Sequence, residues 1–131
     1  MGRPRRSGPA LSPRQCEILV LLADVYHRLG CQRRAIVLAE LVQRHAPSDP
    51  LPARILVRAH LSEGDAEAAL AQLDVLLEHE YETAELAFAL RARCRAFAQL
   101  GRRDNARMAW AEYQGLVDAA GVGETPLSAV A

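Results

Sequence analysis

The residues with the clearest potential for chemistry are a histidine and a cysteine spaced four apart. His27 and Cys31 could share one helix face and supply two ligands to a zinc ion. Gly30 ends that helix between them, however, and no second pair of ligands lies nearby. Cys94 stands seven residues before another glycine, where a small side chain is needed for helix packing. We therefore expect no metal ion and no cofactor.

Catalytic motifs are missing from the sequence. It contains no glycine-rich phosphate loop, no G-x-S-x-G nucleophile elbow and no H-E-x-x-H pair. The four histidines and 16 acidic residues are distributed as the solvated faces of helices require. We expect no catalytic residue and no enzymatic activity.

Charge and hydropathy exclude further classes of protein. The 16 basic residues are all arginine and are balanced by 16 acidic ones, whereas a general nucleic-acid binder needs a basic excess. The longest apolar run, residues 18–23, is far shorter than the roughly 20 residues of a membrane span. We expect no secretory signal, and three scattered cysteines are typical of reduced cytoplasmic thiols.

Three glycines mark an internal repeat. Gly64 follows Gly30 by 34 residues, and Gly101 follows Gly64 by 37. Each glycine has a ring-bearing residue four positions before it and an alanine five positions after it. The aligned residues are Tyr26, His60 and Phe97 before the glycines, and Ala35, Ala69 and Ala106 after them. These columns resemble the tetratricopeptide repeat, in which the glycine forms the turn of a helical hairpin.

Capping signals place the helix ends. Ser12 and Gln15 are predicted to form a capping box around Pro13, and Thr83 is the predicted cap for the last hairpin. The predicted helices are 13–29, 32–45, 50–62, 65–79, 83–100 and 103–118. The sequence thus predicts an all-α fold of three tetratricopeptide-like hairpins, stacked as a short right-handed solenoid over residues 11–118. Residues 1–10 and 119–131 are predicted to be flexible tails.

The first helix of each hairpin is expected to line a concave groove. Two arginine pairs, Arg54 with Arg58 and Arg91 with Arg95, are spaced i, i+4 beside apolar anchors, which suits an amphipathic partner helix carrying carboxylates. Alternatively, these arginines are solvated, or pair with the acidic stretch between Glu63 and Glu85. Both ends of such a stack should leave an apolar face open. The repeat predicts that the exposed residues of this groove are Val20, Asp24, His27, Leu51, Arg54, Arg58, Leu61, Phe88, Arg91 and Arg95.

Two segments carry a resemblance to a known family. The first is "LSPRQCEILVLLADVYHRLGCQRRAIVLAELVQRHAPSDP", and the second is "QLGRRDNARMAWAEYQGL". Over about residues 11–116 the chain resembles the YscY family of bacterial type III secretion chaperones. The resemblance implies a cytoplasmic, non-enzymatic chaperone that forms a heterodimer with a small secreted protein similar to YscX. It also implies that the pair engages the cytosolic domain of the export-gate protein and meets the membrane only through the export apparatus.

Two other functions stay open at this point. Chaperones of needle or translocator subunits also use tetratricopeptide hairpins. The tail "GVGETPLSAV" faintly resembles the end of a bacterial transcriptional activator domain, although the sequence contains no helix-turn-helix reader and begins with its own methionine. Genes for a small secreted protein and export apparatus beside this gene would favour the first interpretation, and a regulatory operon would favour the last.

Overall fold

The computed structural model describes residues 10–78 and 82–121, and within these ranges it contains six α-helices and no strand. The all-helical prediction is confirmed, and every described helix end lies within two residues of its predicted position. The last helix runs to Ala120, two residues into the predicted tail, and ends at Gly121 in the left-handed conformation. Ala10 is exposed and lies outside the helices, and residues 1–9 and 122–131 of the predicted tails lie outside the described residues. The helices are α1 (Pro13–Arg28), α2 (Gln32–His45), α3 (Pro50–Ser62), α4 (Ala66–Leu77), α5 (Thr83–Gln99) and α6 (Arg103–Ala120).

Side-chain caps begin three of these helices. Ser12 Oγ accepts a hydrogen bond from the Gln15 amide at 3.1 Å, and the Ser12 amide donates to Gln15 Oε1 at 2.9 Å, so the predicted capping box is confirmed. Asp49 and Asp65 cap α3 and α4 in the simpler way, with one carboxylate oxygen each. The prediction that Thr83 caps α5 is wrong, because Glu82 occupies the cap position and makes no side-chain cap bond there.

The three hairpin turns are the same backbone motif. Gly30, Gly64 and Gly101 have φ values of 85°, 77° and 75°, which only glycine adopts easily. In each turn, the backbone amide of the residue after the glycine donates a hydrogen bond of 2.8–2.9 Å. The acceptor is the backbone carbonyl of the residue four positions before the glycine. The glycine amide donates to the carbonyl three residues earlier, which completes a Schellman motif. The ring-bearing residue four positions before each glycine is therefore the residue whose backbone carbonyl closes the turn.

Two alanine substitutions should separate turn glycines from an ordinary helical glycine. Gly64→Ala forces an L-residue into positive φ, so we expect it to lower the free energy of unfolding by about 1 kcal/mol. Gly115→Ala lies inside α6 with open space around the new methyl group, so we expect a gain of about 0.5–1 kcal/mol. Urea denaturation of both variants measures the difference. Equal effects of the two substitutions would contradict the assignment of Gly64 as a turn residue.

The helices pack in chain order, and the first helices of the hairpins also contact one another. Each helix packs on the next, and α3 additionally contacts α1 and α5. Among the second helices, Gln43 Nε2 in α2 donates to Gln72 Oε1 in α4 at 2.9 Å. Helix α3 contributes to both hydrophobic clusters, one formed with α1 and α2 and the other with α4 and α5. Among the first helices of the hairpins, α3 therefore contacts both α1 and α5, and α3 and α5 lie side by side.

Candidate partner-binding surface

A groove of about 270 Å³ lies between α3 and α5. Its floor is apolar, formed by side chains spaced four residues apart on each helix, whereas three arginines form its rim. The floor residues are Val57, Leu61, Phe88 and Ala92, and the rim residues are Arg58, Arg91 and Arg95. An apolar floor under a cationic rim can bind the apolar ridge of a helix and its flanking carboxylates together.

The ring of Phe88, in α5, contacts two arginines of α3 beside this groove. The guanidinium carbons of Arg54 and Arg58 lie 4.6 Å and 5.2 Å from the centroid of its ring, within the range of cation–π contacts. Arg54 Nη1 also lies 3.5 Å from Glu85 Oε2, so Arg54 already has an acidic partner. This ion pair agrees with the alternative that the arginines pair with the acidic stretch, and for Arg54 the alternative is confirmed.

The three rim arginines, unlike Arg54, form no ion pair with an acidic side chain in the described ranges. Burial of its guanidinium, together with the nearby charge of Arg54, lowers the pKa of Arg58 below its ordinary value, and Asp24 acts in the opposite direction. Arg91 lies over the Tyr113 ring at 5.9 Å, and neither Arg91 nor Arg95 forms an ion pair with any residue in the described ranges. A carboxylate entering the groove beside Arg91 and Arg95 would therefore meet cations that form no ion pair within the described residues.

The structure brings together half of the predicted groove residues. Arg58, Leu61, Phe88, Arg91 and Arg95 all line the groove, as the repeat spacing predicted. The expected exposure of two of them is wrong, because Leu61 is 4% exposed and Phe88 9% exposed. Since α3 and α5 are in contact, these two side chains pack into the cluster beneath the groove and only their edges reach its floor.

The other predicted positions do not line this groove. Val20, also predicted to be exposed, is buried in the cluster between α1, α2 and α3. The Asp24 carboxylate accepts a hydrogen bond from Arg28 Nε at 2.8 Å, and the His27 ring bonds Gln32 at 2.8 Å. Leu51 is 47% exposed in the first turn of α3. Helix α1 thus contributes no side chain to the groove lining.

The prediction missed two floor residues. Val57 stands four residues before Leu61, and Ala92 stands four after Phe88. An apolar pair at this spacing shares one helix face, so the signal was present in the sequence. The repeat columns overlooked these residues because they were counted from the turns and not along the sides of α3 and α5 that pack together.

The histidine and the cysteine that could supply two metal ligands have different surroundings. His27 bonds Gln32, while Cys31 is exposed in the turn. In the part of the chain that the structure describes, no cluster of three or more histidine, cysteine or acidic side chains could hold a metal ion. Over the same residues, none of the helices combines the length and the apolar character that crossing a membrane requires.

No protein-family model matches this chain, and no curated protein is significantly similar to it.

Proposed function

We propose that this protein is a non-enzymatic type III secretion chaperone with a tetratricopeptide-like fold. Its three hairpins would form a short right-handed solenoid whose first helices line the binding side. The client would be a small secreted protein of the export apparatus, similar to YscX, held as a heterodimer in the bacterial cytoplasm and presented to the cytosolic domain of the export gate. The resemblance over residues 11–116 supplies the class of client.

The groove between α3 and α5 is the observation that carries the proposal. Its apolar floor can cover the apolar ridge of a client helix, which would otherwise expose that ridge to water. Arg58, Arg91 and Arg95 can bind carboxylates on either side of the ridge. Holding a helix in this way requires no chemical step, because the client stays soluble while its apolar side chains are covered.

The identical hairpin turns support the tetratricopeptide-like arrangement. Three Schellman motifs at equivalent positions give the hairpins the same local geometry, and the contacts of α3 with α1 and α5 align the first helices in one row. A row of equivalent helices is the form in which such repeats present a continuous surface.

A charge-reversal pair tests the role of the groove. The client is identified first, by mass spectrometry of proteins that co-purify with the tagged chain from its native organism. Arg91→Glu combined with Arg95→Glu should then raise the Kd for that client roughly tenfold at low salt, and less at high salt, because the rim cations attract its carboxylates. Isothermal titration calorimetry at two salt concentrations measures both effects.

Helix α6 offers a matched control for this pair. Arg103 and Arg107 are also exposed and spaced i, i+4, but they lie outside the groove. Arg103→Glu combined with Arg107→Glu introduces the same change in charge and should leave the Kd within about twofold. Equal losses from both pairs would assign the effect to net charge and remove the groove from client binding. A co-purified regulator or needle subunit would contradict the proposed client.

A further inference from the structure

The groove between α3 and α5 has two unlike sides. Arg58 is the cation of the α3 side and is half-buried, whereas Arg91 and Arg95 on the α5 side are exposed. The guanidinium carbon of Arg58 lies 5.2 Å from the centroid of the Phe88 ring, which forms part of the floor. Among the described residues that line the groove, none is acidic. One of the three rim cations is therefore held against the apolar floor, while the other two are exposed to water.

The charges that act on Arg58 come from the first helices of all three hairpins. Burial is the main effect that lowers its pKa, and repulsion by three other arginines adds to it: Arg54 of α3, Arg28 of α1 and Arg91 of α5. Asp24 of α1 acts in the opposite direction. The half-buried Arg58 cation therefore lies among like charges, an arrangement that an added negative charge would stabilise.

Two acidic side chains near this cluster are already paired with other arginines. The Asp24 carboxylate accepts a hydrogen bond from Arg28 Nε at 2.8 Å, and Glu85 Oε2 lies 3.5 Å from Arg54 Nη1. Arg58 forms no ion pair with any residue in 10–78 or 82–121. A carboxylate from another molecule can supply that partner, because its two oxygens match the two-pronged fork of a guanidinium.

The depth of each cation determines what a carboxylate gains by binding it. An ion pair between exposed groups contributes little affinity and weakens as salt is added, because water and counter-ions screen it. Arg58 has already lost part of its hydration in the free chain, so less water must be removed from it when a carboxylate binds, and the pair is screened less. We therefore expect Arg58 to contribute to affinity at any salt concentration, and Arg91 and Arg95 to act mainly at low salt.

We propose that Arg58 determines the specificity of this groove by binding one carboxylate that flanks the apolar ridge of the bound helix. The class of partner is thereby narrowed from amphipathic helices in general to those that carry an aspartate or a glutamate on the flank that faces α3. This role of Arg58 rests on the helix-holding function proposed above, and it assigns to one side of the groove the discrimination between acidic and neutral helices.

A pair of designed peptides tests this role. Both are fluorescein-labelled amphipathic helices of about three heptads with leucine at positions a and d. One peptide carries glutamate at positions e and g, and the other carries glutamine there, so the two differ in charge and hardly in shape. Fluorescence anisotropy at high salt, where exposed charges are screened, should give a Kd for the glutamate peptide about tenfold lower than for the glutamine peptide.

Two substitutions of Arg58 should change this preference to different degrees. Arg58→Gln removes the cation, so the two peptides should bind within about twofold of each other. The Kd for the glutamine peptide should stay unchanged, which also shows that the variant keeps its groove. Arg58→Lys keeps the charge and loses the two-pronged fork, so it should retain a preference of only about threefold for the glutamate peptide.

Arg54 and Glu85 supply the matched control. Arg54→Gln combined with Glu85→Gln removes the other guanidinium that lies near the Phe88 ring, together with its acidic partner, and leaves the net charge unchanged. This pair should keep the tenfold preference at high salt, because the charges that it removes already neutralise each other.

The outcomes separate this inference from the function on which it rests. Equal binding of the two peptides to the unmodified chain, or a preference that Arg58→Gln leaves intact, would overturn the role of Arg58 and leave helix holding in place. Loss of the preference in the Arg54 and Glu85 variant as well would also overturn it, because the effect would then belong to the surroundings of Phe88. Binding of neither peptide would overturn the helix-binding groove and the proposed function with it.

Discussion

Ala69→Trp is expected to abolish cooperative unfolding. Ala69 is fully buried in α4, in the same cluster as Val57 and Leu61 of α3, and stands five residues after the turn glycine Gly64. An indole there forces the two helices of the central hairpin apart. Inserting only a few methylene groups into a packed core costs about 1–3 kcal/mol, and an indole is much larger. Differential scanning calorimetry and circular dichroism would then show no cooperative transition.

Ala71→Trp is the control for this substitution. Ala71 is exposed on the same helix, so the same side chain should change the free energy of unfolding by no more than about 0.5 kcal/mol. A native-like melting transition for Ala69→Trp would contradict the close contact between α3 and α4. Loss of folding in both variants would show that α4 rejects tryptophan for reasons unrelated to packing.

Leu56→Ala should destabilise the protein by about 2–5 kcal/mol, since it removes a fully buried side chain and leaves a cavity. Leu56 is the α3 residue that packs with Ile55 against α1 and α2, so the substitution weakens the contact between the first two hairpins. Urea denaturation monitored by the fluorescence of Trp110 measures the change. That tryptophan is in α6, far along the chain, so coincidence of its transition with the one followed by circular dichroism would also show that the hairpins unfold together.

Leu51→Ala makes the same substitution on the same helix at a residue that is 47% exposed. We expect it to change the free energy of unfolding by about 0.5 kcal/mol. A loss as large as that of Leu56→Ala would contradict the placement of Leu56, and not Leu51, in the core between the hairpins.

The helices and turns could be predicted because their causes are local. The Ser12–Gln15 capping box and the three turn glycines act through hydrogen bonds between residues three to five apart, which a single sequence displays. The wrong prediction at Thr83 also has a local cause. Glu82 occupies the cap position without a side-chain hydrogen bond, so its residue type did not indicate that it is the cap.

Burial at the groove could not be predicted from spacing alone. Counting from the turn glycines placed Leu61 and Phe88 correctly on facing sides of α3 and α5, yet their exposure depends on how closely the two helices approach. Because the two helices are in contact, Leu61 and Phe88 are buried in the floor of the groove and not exposed along its sides. Arg91 and Arg95, whose charged ends remain exposed in the rim, kept their predicted place.

The sequence by itself determined an all-helical chain of three hairpins with a turn at each of three glycines. It also determined a set of arginines beside apolar residues. These features follow from periodicity and capping, which are properties of neighbours along the chain. Only the tertiary structure decided which apolar faces are covered. Val20 and Ile18 are alike in a sequence pattern, but one packs against α2 and α3 and the other faces outward, since burial depends on which helices stand opposite. For the same reason Leu21 of α1 is 66% exposed although it is as apolar as the buried Val20 beside it.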